Sequence, residues 1–209
     1  MILLWQILSN GKLAIAYLKI NTMENRCPWA EVDDLYRQYH DQEWGKPEFD
    51  DQKLFEMLCL EGAQAGISWH IILKKRDNYR KAFLNFDPDA LLETSPDYRS
   101  ALVQDAGIIR NKLKINAVFT NALAYKKVKE EFGSFSEYIW SFVNHSPIIN
   151  HFQSLEEVPA ETEISVKMSK DLKKRGFKFV GPKIIYAYMQ AVGMVNDHLT
   201  SCPAHALTK

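Results

Sequence analysis

Helix punctuation is the feature that most limits what this chain can become. Asp33-Asp34 offers an N-cap for a helix through Glu43, and Asp50-Asp51 one for a helix ending near Gly62 or Gly66. Helical spacing continues over roughly 68–84, 97–105, 110–131, 134–143, 165–175 and 182–193. Gly or Pro stands where helices should stop: Gly66, Pro88, Gly107, Gly133, Pro147, Pro159, Gly176 and Gly193. Apolar and polar residues hardly ever alternate with period two, so no strand is expected beyond a short ribbon. An all-α fold in one compact domain, residues 23–209, is the expectation.

Residues 1–22 differ in character from the rest of the chain. Ser9-Asn10-Gly11-Lys12 interrupts them, so no apolar run reaches the ~20 residues that cross a bilayer. They also lack the basic start and small-residue cleavage site of a signal peptide. The segment is read as an extension outside the fold, from an upstream start or an appended sequence, and no membrane partner is expected. The 26 Lys and Arg balance the 26 Asp and Glu, which argues against gripping nucleic acid by global charge but allows a local basic face. Three cysteines do not make a disulfide framework, so a reducing cytoplasm is the expected setting.

Cys27 and His40 open the folded region, and His198 and Cys202 close it. Two Cys and two His make a complete tetrahedral zinc set, and His-x3-Cys is ordinary ligand spacing. A metal here would staple the two ends of the domain and, with four protein ligands, would be structural. Spacing alone leaves a second reading open: a buried Cys27, a surface His40 and a frayed tail. His205 is a possible competing ligand nearer the end of the chain.

Leu54, Leu58, Glu61 and Ala65 follow i, i+4, i+7, i+11, which puts a carboxylate on the apolar stripe of its helix, while Glu56 falls on the opposite side, free to be solvated. Burying Glu61 without a partner is unfavourable by several kcal/mol; its position also allows it to reach water or an arginine at the helix end. Trp29, Tyr36, Tyr39, Trp44 and Trp69 lie on either side of it in sequence. Any one ring is compatible with core packing. Together, rings and a carboxylate suit a flat, electron-poor ligand that stacks and donates N–H groups.

Residues 170–183 read as helix, glycine-bounded hairpin, helix, with Gly176 suited to C′ of the first helix and Pro182 to N1 of the second. Amides at a helix start attract phosphate. Lys173, Lys174, Arg175, Lys178 and Lys183 add positive charge, although a solvated basic turn has the same composition.

Several strings, in order, carry a resemblance. They are Cys27-x-Trp29, Tyr36-x-x-Tyr39-His40, Glu43-Trp44-Gly45, Leu60-Glu61-Gly62-x-x-Ala65-Gly66-x-Ser68-Trp69, residues 105–110, 140–145 and 175–181, and Val195-Asn196-Asp197-His198. From Arg26 to Cys202 the chain resembles the bacterial DNA-3-methyladenine glycosylase I family. The resemblance implies a helix-hairpin-helix DNA glycosylase fold, with the motif at about 165–193 and contacts from Gly176, Lys178, Gly181 and Lys183 to the DNA backbone. It implies one structural zinc on Cys27, His40, His198 and Cys202, and a base pocket of Trp29, Tyr36, Tyr39, Trp44 and Trp69 with Glu61 on the purine edge. It does not explain residues 1–22. The family is understood to lack the superfamily's catalytic aspartate in its usual role, so Asp197 is not cast as a base.

The activity so implied is base-excision repair: release of free 3-methyladenine from double-stranded DNA, leaving an abasic site, by a monofunctional enzyme, expected as a monomer. Glu61 is then expected to read the base and act in catalysis by adding negative potential. Two other readings stay open on sequence: a non-catalytic zinc-clamped protein that binds DNA damage, and a metal-dependent hydrolase using the Cys/His set.

Overall fold

In a computed structural model the described residues are 25–207, so the expectation for residues 1–22 lies outside them. The cap signals act as the sequence indicates. The Asp33 side chain accepts the Tyr36 N–H at 3.0 Å and starts α1 (Asp34–Gln42). Asp50 accepts from Lys53 at 2.9 Å and starts α2 (Asp51–Gln64), and Ser68 caps α3 (Trp69–Ala82). Pro88 proves to be a helix start rather than a break. It stands at the beginning of α4 (Pro88–Glu93), where Asp87 accepts from Asp89 and Ala90 N–H, and its fixed φ suits a first helical turn. Next come α5 (Pro96–Ala101), α6 (Lys112–Phe132) and α7 (Phe135–Trp140). The expected helices over 97–105 and 134–143 end early because each tightens into a three-residue 3₁₀ turn, 102–104 and 141–143.

The architecture is helical, as expected. The only described strands, β1 (Ile148–Ile149) and β2 (Val195–Asn196), pair in parallel through two residues each and hold the end of the chain against the helices.

Helix α2 is the centre of the molecule. It packs against α3, α6, α7 and the later helix α9 (Pro182–Ala191), and all ten residues from Leu54 to Ala63 are buried. That corrects the expectation for Glu56. It is not solvated but 6% exposed, and it accepts hydrogen bonds from Arg76 Nε (2.7 Å) and Arg80 Nη2 (2.9 Å) on α3. A helix buried all round has no solvent face, so its charged residues must find partners inside.

Helix α8 (Glu163–Lys174) is followed by a turn of Schellman type. Gly176, with φ at +99°, donates to the Lys173 carbonyl, and Phe177 donates to that of Leu172. The turn runs to Gly181, the N-cap of α9, with Pro182 at its start. Buried groups fix its shape: Ser169 Oγ donates to the Val180 carbonyl at 2.6 Å. Asn121 of α6 accepts from the Lys178 N–H (2.7 Å) and donates to the Lys178 carbonyl (3.2 Å). Phe179 lies over Gly62, one residue from Glu61, so the turn is seated on the same helix that carries that carboxylate.

Candidate active site

The five rings and the carboxylate picked out in the sequence line one cavity of about 410 Å³. Glu61 is in the last turn of α2, Tyr36 and Tyr39 are on α1, and Trp69 is the first residue of α3. Trp29 comes from a 3₁₀ turn over Pro28–Val32. Trp29 meets Trp44 edge-on at 5.0 Å between centroids and Tyr36 at 5.6 Å, while Tyr39 lies tilted against Trp69 at 5.5 Å.

Glu61 is only 3% exposed, and its Oε2 has no hydrogen-bond partner among the described residues. Burial disfavours its charged form and raises its pKa from 4.5 to about 8. The indole N–H of Trp69 is also buried without a partner among the described residues. Buried polar groups are nearly always satisfied; an orphaned acceptor and an orphaned donor in one aromatic cavity mark a place for a ligand with both N–H groups and acceptor atoms. Lys114 supports this end of α2, its ammonium donating to the carbonyls of Ala63 (2.9 Å) and Ala65 (2.6 Å).

Asp197, Gln64, Gln190, Leu155 and Val158 also line the cavity, and sequence reasoning did not place them there. Asp197 accepts from Asn150 (2.7 Å), Tyr186 (2.7 Å) and Gln190 (2.8 Å), so three of its four acceptor positions are taken.

Behind the rings lie the four candidate metal ligands. Cys27, His40, His198 and Cys202 are all buried, with their ligand atoms within 4.8 Å of one another. Four of the six edges of this cluster are 3.1 Å (His40 Nε2 to His198 Nδ1), 3.5 Å (Cys202 Sγ to His40 Nε2), 3.7 Å (Cys27 Sγ to His198 Nδ1) and 3.9 Å (Cys202 Sγ to His198 Nδ1). A zinc tetrahedron with ordinary bond lengths has edges of about 3.3–3.8 Å, so the set fits the ion. Each imidazole uses its other nitrogen for orientation: His40 Nδ1 meets Asp41 Oδ1 at 2.8 Å, and His198 Nε2 meets the Trp44 carbonyl at 3.2 Å. The Cys202 thiol is held well below its usual range, chiefly by a hydrogen bond from Cys27 with help from His198 and His40, which suits a thiolate ligand. Gly45 makes the arrangement possible. Its φ is +75°, and a Cβ there would lie 2.8 Å from His198 Nε2. His205 is not part of the cluster; its Nε2 meets the Asn150 carbonyl at 2.8 Å. The cluster also braces the cavity, since His198 packs edge-on against Trp44 at 4.6 Å and His40 against Trp29 at 5.3 Å.

Around the turn from 175 to 181, Lys178 and Lys183 are exposed, and Gly176 and Gly181 are partly so. Arg175 does not belong to a free basic face. It is paired with Asp171 and Glu131, each at 2.7 Å, and stacked over Phe132.

An aromatic box with one buried acceptor, set in a helical scaffold beside a glycine turn, has the shape and chemistry to take a flat heterocycle that donates N–H groups. The comparisons with known proteins agree. The profile of the methyladenine glycosylase family matches residues 29–205, and the chain belongs to that family. It is 51% identical over 181 residues to a DNA-3-methyladenine glycosylase of Haemophilus influenzae, covering 87% of this chain and 98% of that one. It is 52% identical over 177 residues to DNA-3-methyladenine glycosylase 1 of Escherichia coli, covering 85% and 95%. Among solved structures, a 3-methyladenine DNA glycosylase I superposes with a TM-score of 0.84 at 49% identity over 87% of this chain and all (100%) of that one. The Staphylococcus aureus enzyme, solved to explain 3-methyladenine recognition, gives 0.83 at 34% identity over 86% and 95%.

Proposed function

We propose that this chain is a DNA-3-methyladenine glycosylase of base-excision repair, hydrolysing the N-glycosidic bond of 3-methyladenine in double-stranded DNA. The observation that carries the reading is Glu61: a buried carboxylate with an unpartnered oxygen, walled by Trp29, Tyr36, Tyr39, Trp44 and Trp69.

A base within a duplex is out of reach, so the nucleotide must leave the stack at a cost of a few kcal/mol, least for a damaged pair. Ring stacking returns about 1–3 kcal/mol. A 3-methylated adenine linked to its sugar is a cation, which π faces attract and a carboxylate attracts more strongly. Its positive charge favours ionised Glu61, so base entry and loss of the Glu61 proton are coupled. The purine is already a good leaving group. What remains is to admit one water, exclude bulk solvent and stabilise the oxocarbenium sugar as the bond breaks, and the negative charge of Glu61 serves the last. Asp197 is given no base role, since most of its acceptor capacity is occupied. Among the described residues no lysine lines the cavity, which supports a monofunctional reaction without a Schiff base.

Residues 163–191 serve in this proposal as a helix-hairpin-helix, with Gly176, Lys178, Gly181 and Lys183 on the DNA backbone. The exposed lysines and the open start of α9 support this. One zinc on Cys27, His40, His198 and Cys202 holds the two ends of the domain together and fixes the wall of Trp29 and Trp44; four protein ligands leave it no open position for substrate. Three buried, unpaired cysteines suit a reducing cytoplasm, and among the described residues no helix is long and apolar enough to cross a membrane.

The experiment is incubation with methylated duplex DNA, with and without a chelator, followed by chromatography for free base. Release of 3-methyladenine supports the proposal, with chelation lowering the thermal midpoint. Binding of damaged DNA with no release makes the chain a damage reader instead. Loss of release with the fold intact after chelation makes the metal catalytic.

A further inference from the structure

Tyr36 lies in the first turn of α1, half-buried, in the wall of the cavity. Trp29 meets its ring edge-on at 5.6 Å, and Asp33 and His70 hold it as well. Asp33 Oδ1 accepts the Tyr36 main-chain N–H at 3.0 Å. The other oxygen, Oδ2, accepts from His70 Nε2 at 2.6 Å. The His70 ring in turn stacks on the Tyr36 ring, with centroids 4.7 Å apart and planes within 25°. His70 is the second residue of α3, directly after Trp69. One carboxylate and one imidazole therefore tie the start of α1 to the start of α3 and back one ring of the box with another. Lys74 also lies near Asp33, at 3.5 Å, and leaves the 2.6 Å bond to His70 in place.

We infer that His70, held by Asp33, is a positioning residue for substrate binding, acting through Tyr36. The inference rests on the proposed glycosylase reading. A ring held in place before the base arrives binds without the loss of side-chain entropy that a mobile ring incurs. The advantage falls on substrate binding more than on the chemical step. The purine carries its full positive charge before the bond breaks and loses it as the bond breaks, so a π face favours the bound substrate at least as much as the transition state.

The test is steady-state excision from methylated duplex DNA by the full chain, with His70→Ala, His70→Phe and His70→Gln, each alone and His70→Ala also combined with Tyr36→Leu. His70→Ala is expected to raise KM about threefold to tenfold, the range for one aromatic pair, with kcat within about twofold. His70→Phe keeps a ring on Tyr36 and should recover most of the loss. His70→Gln, which keeps a polar reach to Asp33 without the ring, should not. In the Tyr36→Leu background, His70→Ala should add nothing. An unchanged KM in His70→Ala, or the same rise with and without Tyr36, overturns the inference. If His70→Ala fails to fold, the order of His70→Phe and His70→Gln decides: equal KM values overturn it. Absence of base release by the unaltered chain overturns the glycosylase reading instead, so the two failures are distinct.

Discussion

Replacing Glu61 with Gln removes a charge while keeping size and shape, and it should move stability and activity in opposite directions. In the folded chain burial raises the Glu61 pKa from 4.5 to about 8. Between those values the folded state binds a proton that the unfolded chain releases, so folding stability falls as pH rises through the window. At about 1.4 kcal/mol per pH unit, the interval corresponds to an upper bound of about 4–5 kcal/mol. Water entering the open cavity reduces it, and a realistic expectation is about 2–4 kcal/mol. Glu61→Gln has no such proton and should be spared the loss. Urea unfolding of both proteins at intervals from pH 5 to 9 reads this directly: the difference in unfolding free energy should grow in favour of the variant up to about pH 8 and then level off. Titrations elsewhere cancel in the difference. Parallel curves for the two proteins across the whole range would refute the reasoning. On methylated DNA the same substitution should lower kcat/KM by about 10²–10³-fold, the scale of losing one partner of a buried charge pair.

Three further outcomes are expected from the geometry. Gly45→Ala places a Cβ against His198 in a backbone conformation disfavoured for alanine, so it should lower zinc content and the thermal midpoint, read by metal analysis and calorimetry. Asn121→Leu strands the Lys178 N–H and carbonyl inside the turn between α8 and α9; it should cost about 2–3 kcal/mol of stability and weaken DNA binding more than binding of free 3-methyladenine, by denaturation and titration. Lys178→Ala and Lys183→Ala should each reduce the slope of log affinity against log salt by about 1 in a DNA-binding titration, with little change in stability.

Much of the fold and site is legible in the residues. The Asp33 and Asp50 caps and the Gly176 and Pro182 pair act through neighbours within a few positions, and such local chemistry survives in a sequence. The aromatic set and the four candidate metal ligands are legible as types and spacings, and the family resemblance joins them into candidate sites. Periodicity misplaces Glu56 because it finds one apolar face, whereas α2 is buried on every side; the near-continuous apolar run around Glu56 is the available signal, and Arg76 and Arg80 come from another helix. Pro88 reads as a stop because proline ends and begins helices alike, and Asp87 before it is the clue to the second meaning. Asp197, Gln190 and Leu155 reach the cavity only through the way distant segments fold back on α2, and Arg175 loses its free charge to Glu131 on another helix. Pairings of that kind leave no local trace.

The most direct test of the central claim, that ionised Glu61 receives a cationic purine, is the pH profile of kcat/KM for 3-methyladenine release by the unaltered chain and by Glu61→Gln. The free enzyme's ionisation governs this quantity. For the unaltered chain it should climb about tenfold per pH unit and level off near the raised Glu61 pKa of about 8, while the variant stays low and lacks that rise. Profiles of the same height and shape for the two proteins would contradict the account.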